Sequence, residues 1–173
     1  MTGVILENAV ENKHKNIHVP RRYLPRNLTK KDLKKQRKNL IKSRKLYKKG
    51  VYYQRPSVKS FTSKESPHIR KARKMYNVEH ILPNKELATK TKCSVDALEK
   101  IVNKGRGAYY SSGSRPNQSA ESWGLARLAS SITGGNASVI DYNILRDGCE
   151  NTSPALKLAK KLLCEKKGKC SEP

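Results

Sequence analysis

The residues best equipped for chemistry lie in one stretch, Gly105-Arg106-Gly107-Ala108-Tyr109-Tyr110-Ser111-Ser112-Gly113-Ser114-Arg115-Pro116-Asn117-Gln118. Glycines let backbone N–H groups converge, and Arg106 and Arg115 add guanidinium groups that suit a phosphate or a carboxylate. The same composition also describes a tight structural turn, with Tyr109, Tyr110 and Trp123 covering a core. A Walker-type phosphate loop is excluded, because G-x-x-x-x-G-K-[ST] is absent. A second candidate is the pair Leu87–Lys92 and Ser94–Lys104, which has the spacing of a helix-turn-helix. Its second helix would show Asp96, Glu99, Lys100, Asn103 and Lys104 to a groove. Two acids there would meet phosphate repulsion, so an ordinary helical hairpin is the plainer reading.

Catalytic chemistry finds little support. Ser111, Ser112 and Ser114 have no histidine near them in sequence, and His80 is distant. Paired carboxylates at helical spacing are missing from the globular part, so no enzyme, catalytic residue or cofactor is expected. Cys93, Cys149, Cys164 and Cys170 contain no C-x-x-C pair. His14, His18, His68 and His80 do not join them at finger-like spacing, so no metal site is expected. An even count permits two disulfides, but no secretory context supports them, so reduced, partly buried thiols are expected.

Charge points more firmly. The 173 residues carry 38 Lys+Arg against 14 Asp+Glu, a net +24. Residues 1–75 hold 23 of the bases and 4 of the acids, a net +19, while residues 76–173 are nearly balanced. A chain this basic repels itself, and an anionic partner relieves the repulsion. The candidate partner-binding cations are Arg21, Arg22, Arg26, Lys30, Lys31, Lys34, Lys35, Arg37, Lys38, Arg44, Lys45, Lys48, Arg70, Arg73, Arg106 and Arg115. A small-molecule ligand is not expected. The apolar runs are far shorter than the roughly 18–20 residues of a membrane span. Met1–Val10 has neither the basic start nor the apolar core of a signal peptide.

The elements that must position these groups are mainly helical. Pro20 and Pro25 predict an extended basic arm over 1–28. Thr29 caps a long basic helix that runs to about Lys49 and stops at Gly50. Leu33, Leu40 and Tyr47, with Ile41 beside them, give it a narrow apolar stripe. Val51–Phe61 reads as an extended segment or short strand. Ser66 and Pro67 open a short helix, so that 29–77 forms a basic middle section. A compact helical domain is expected over 78–164. Its helices are predicted over Lys85–Lys90, Val95–Lys104 (ended by Gly105), Ala120–Ile132, Val139–Leu145 and Pro154–Cys164. Residues 106–119 are read as a loop, and 165–173 as a polar tail that frays. The fold class is therefore mainly α, a small C-terminal helical domain preceded by an extended basic arm and a long basic helix.

Two blocks carry a family resemblance. The first runs from Arg22-Tyr23-Leu24-Pro25 through Leu28-Thr29-Lys30-Lys31-Asp32, Lys42-Ser43-Arg44 and Tyr47-Lys48-Lys49-Gly50 to Ser63-Lys64. The second runs from Lys104-Gly105-Arg106-Gly107 through Ser122-Trp123-Gly124-Leu125 to Thr133-Gly134-Gly135. Over about residues 20–149 the chain resembles small basic virion proteins of nucleocytoplasmic large DNA viruses. The resemblance implies a non-enzymatic minor capsid protein, located in the capsid or an internal layer of the particle. Its helical domain would dock on other capsid proteins, and residues 13–75 would bind acidic surfaces together. The alternative is a nucleic-acid-binding protein that compacts or packages the viral genome.

Overall fold

A computed structural model describes residues 17–168. Among the described residues there are eight α-helices and no strand: α1 Lys30–Tyr47, α2 Pro67–Tyr76, α3 Lys85–Thr91, α4 Val95–Ser111, α5 Ala120–Ile132, α6 Asn136–Ile140, α7 Tyr142–Gly148 and α8 Pro154–Lys167. The chain divides into two compact units, one made of 17–63 with 110–118 and one of 64–109 with 119–168. This division differs from the sequence-read boundaries at 28, 77 and 164. The expected arm over 1–28 lies partly outside the described residues.

Most helix starts sit on the capping residues. The Thr29 hydroxyl accepts from the Asp32 N–H, Ser66 from His68, Asn84 from Leu87 and Ser153 from Leu156. Ser119 and Ser122 form a reciprocal capping box on α5. Each satisfies an N–H that the helix itself leaves without a partner.

In the first unit, residues 17–28 are folded onto α1 rather than extended away from it. A 3-10 turn at Arg21–Tyr23 leaves Tyr23 buried, and Val19, Leu28, Leu40, Ile41 and Val58 are buried in the same unit. That apolar core is small, and polar clamps reinforce it. Gln36 Nε2 donates to the carbonyls of Tyr23 and Ser114, and Ser43 Oγ donates to that of Tyr110. Gln36, Asn39 and Ser43 therefore share the buried face of α1 with Leu40 and Ile41, while Leu33 is 38% exposed. The apolar stripe expected through Leu33 is displaced, because apolar periodicity cannot see a polar side chain that finds hydrogen bonds inside. Val51–Phe61 forms no strand. Side chains take the place of a ladder: Asn117 bonds both backbone groups of Val58 and the Phe61 carbonyl, and Asp32 accepts from Ser60.

The second unit packs α2, α3 and α5 through α8 with most of α4 around Leu87, Leu98, Ile101, Leu128, Ile132, Leu145 and Leu156. The Tyr76 hydroxyl donates to the Ile132 carbonyl at 2.5 Å. Several expectations fail here. Gly105 does not end α4, which continues to Ser111, so much of the predicted loop is helix. Gly105 is there for contact: an added Cβ would lie 2.6 Å from the Gly124 Cα on α5. Two helices approach backbone to backbone at that crossing. Gly105→Val is expected to destabilise the protein by about 3 kcal/mol, the upper end for overpacking, read from the urea midpoint. Gly105→Ala should cost less, since helix propensity returns about 1 kcal/mol.

The second correction concerns cysteine. Cys93 and Cys149 form a disulfide across an isolated antiparallel bridge. Hydrogen bonds from the Ser94 N–H to Gly148 O and from the Glu150 N–H to Lys92 O flank it, at 2.7 and 2.9 Å. Cys164 is also disulfide-bonded, so no described cysteine is a free thiol. The expected helix over Val139–Leu145 is two helices broken at Asp141, and α8 runs to Lys167, beyond Cys164, before Gly168 caps it.

Candidate functional site: a polybasic face

Over residues 17–63 and 110–118 the first unit has 17 Lys+Arg against one acidic residue, Asp32. Asp32 is engaged within the unit. The Ser60 hydroxyl and N–H donate to its Oδ2 at 2.6 and 2.8 Å. Those bonds, with Lys35 nearby, hold its carboxyl below the usual carboxylate range. Lys31, Lys34, Lys38, Lys42 and Lys45 recur at spacings of three and four, which places them along one side of α1. All five are exposed, and the side lies away from Gln36, Asn39, Leu40 and Ser43. Like charges three and four apart repel one another, so this face is strained in the absence of anions.

The sequence-predicted cations sort into three groups. Arg21, Arg26, Lys30, Lys31, Lys38, Lys45, Lys48 and Arg115 are exposed. Among the described residues none of these eight has an ion-pair partner. Lys34 is exposed alongside them. Others fasten the first unit while keeping their charge. Arg44 donates to the carbonyls of Ser112 and His18, Arg37 to Ile17 and Lys35 to Ser57. Arg22 donates to the Tyr23 hydroxyl, its guanidinium 4.9 Å from that ring's centroid. The third group belongs to the second unit and is neutralised there. Arg106 pairs with Glu121 and Glu99 at 2.7 and 3.1 Å, and those carboxylates raise its pKa. Arg73 pairs with Glu65 at 3.1 Å, and Arg70 approaches the same carboxylate at 3.6 Å.

The two motifs singled out by spacing therefore lose their chemistry. Arg106 and Arg115 lie in different units, and Arg106 is occupied by carboxylates. On α4, Lys100 pairs with Asp96 and Lys104 with Asp141, which leaves little free positive charge for a groove. No group of three or more His, Cys, Asp or Glu able to hold a metal occurs among the described residues. No described helix is long and apolar enough to cross a membrane.

Sequence reasoning missed the aromatic part of the face. Tyr47, Tyr52 and Tyr110 meet in one cluster, and Lys42 Nζ lies 4.5 Å from the centroid of the Tyr53 ring. It also missed Arg55, which is buried and donates to the Ser43 and Ser114 hydroxyls. Only the pairing of Tyr52-Tyr53 with an Arg-Pro step hinted at either.

Fold and site together define a small helical protein that carries a folded polybasic unit. The chain belongs to DUF5824, a family of unknown function, whose model matches residues 20–145. Comparison with curated proteins and with solved structures found no match.

Proposed function

We propose that the protein is a non-enzymatic component of a large DNA virus particle that binds nucleic acid through its first unit and helps compact or package the genome. The observation that carries this reading is the 17-to-one excess of bases in that unit, with its one carboxylate already hydrogen-bonded to Ser60. A polyphosphate matches such a face, because each phosphate contacted releases counterions. The particle context rests on the resemblance to virion proteins. That resemblance also favours a second reading, a minor capsid protein whose basic face cements acidic capsid subunits.

Salt separates the two. The affinity of the full chain for a labelled DNA oligonucleotide should fall with log[salt] at about −0.9 per phosphate contacted. With about six contacts, the loss between roughly 50 and 200 mM salt is about 10³-fold, measured by fluorescence anisotropy. Weak, salt-insensitive binding would sink the nucleic-acid reading. Cross-links in intact particles from Lys30–Lys49 only to capsid subunits would then support the cementing role.

A further inference from the structure

Tyr47 closes α1, Tyr52 follows five residues later and Tyr110 lies at the end of α4. The Tyr47 and Tyr110 rings are nearly parallel, with centroids 6.2 Å apart and planes within 7°. Tyr52 stands edge-on to both, at 6.0 and 5.2 Å. Tyr47 and Tyr110 are half-buried, but Tyr52 is 70% exposed. Tyr52 therefore keeps most of its surface in solvent, open to a planar partner.

The cluster adjoins, along the chain, a cationic groove of about 660 Å³, a size typical of ligand sites. Arg22, Arg44, Lys45 and Lys48 line that groove with Ser111 and Ser112, and no carboxylate does. Tyr47 is followed directly by Lys48, and Tyr110 directly by Ser111 and Ser112. Arg44 is committed to backbone carbonyls, whereas the Lys45 and Lys48 ammonium groups have no hydrogen-bond or ion-pair partner among the described residues.

We propose that this surface binds single-stranded nucleic acid, with a base stacking on Tyr52 and the adjoining phosphates held by Lys45 and Lys48. The proposal rests on the reading that the first unit binds nucleic acid, and it names the form bound. In a duplex the base faces are covered by their neighbours, so an exposed ring finds nothing to stack on. Unpaired bases stack on aromatic side chains whatever their sequence, and a basic track holds their backbone. Lysines alone would serve a duplex as well as a single strand; Tyr52 is what distinguishes them.

The test compares an oligothymidylate of roughly 20 nucleotides, longer than typical single-strand site sizes, with a duplex of equal length at matched salt. The wild-type chain should prefer the single strand. Tyr52→Ala should weaken single-strand binding about tenfold, as alanine does at stacking rings, and leave duplex binding and the melting temperature unchanged. Tyr52→Phe should restore it. Lys45→Gln with Lys48→Gln should flatten the single-strand salt slope by about 1.4. A duplex preference, an equal loss on both ligands, or no loss in Tyr52→Ala would overturn the stacking proposal while the polybasic reading stands. Equally tight binding of inorganic polyphosphate with the same Tyr52→Ala loss would also overturn it. Failure of both oligonucleotides to bind at physiological salt would overturn the two readings together.

Discussion

Asp141→Asn is expected to destabilise the protein by about 3–5 kcal/mol, the range for removing one partner of a buried ion pair. Asp141 is fully buried between α6 and α7. Arg127 binds it in bidentate fashion at 2.9 and 2.6 Å, Lys104 at 2.8 Å and the Ser131 hydroxyl at 2.7 Å. One carboxylate thus joins α4, α5 and the break between two short helices. Burial pushes its pKa up, but the hydrogen bonds from Arg127, Lys104 and Ser131 outweigh burial, and the net shift is downward. A depressed carboxyl stabilises the fold above its unfolded pKa of about 3.9 and loses that contribution as pH falls through the folded value. The gap between wild type and Asp141→Asn in urea unfolding should be full at neutral pH and shrink below about pH 4. Arg127→Ala should approach the same loss, because only 18% of its side chain is exposed. Lys104→Ala should cost much less, since its side chain is 44% exposed and its ammonium can return to water. Equal effects at all three positions would mean that burial does not set the ranking.

Local rules carried the helical part of this fold a long way. The starts of α1, α2, α3 and α8 were legible because Thr29, Ser66, Asn84 and Ser153 each satisfy an N–H a few residues away. What those rules could not see was contact between distant residues. Gly105 reads as a stop, yet a neighbour 19 positions on, Gly124, makes it a helix crossing. The supposed arm looked too polar to bury itself. Its described part is held down by Gln36, Arg37 and Arg44, which donate to the carbonyls of Tyr23, Ile17 and His18 from 13 to 26 positions away. The candidate site followed the same pattern. Its cations were visible one by one, but Arg106 is removed by Glu121 and Arg44 is committed to Ser112, and neither spacing is a motif. The tyrosine shelf is assembled from residues 47, 52 and 110, so no window along the chain contains it.

The disulfide extends that point to covalent structure, and its loss is the other large expected effect. Pairing rules keyed to C-x-x-C speak only to near neighbours, whereas Cys93 and Cys149 are 56 residues apart. Closing a loop of that length removes unfolded-chain entropy worth about 4 kcal/mol in the chain-entropy model. The bond ties the turn before α4 to the end of α7, where Gly148 packs against Ala97 so closely that a Cβ would collide with it. The backbone hydrogen bonds on either side can persist without the sulfur bridge, so the native geometry should survive its removal. Cys93→Ala with Cys149→Ala is therefore expected to fold and to melt lower by roughly 10 °C or more, taking several degrees per kcal/mol for a chain of this size. Ala is the better replacement than Ser at Cys93, because that site is buried and a new hydroxyl would need a partner. A reductant should lower the melting temperature of the wild type and shift the double variant less. Non-reducing peptide mapping should recover the 93–149 linkage from the native protein. A double variant as stable as wild type, or a 93–149 peptide pair found only as free thiols, would show that the fold does not depend on this bridge.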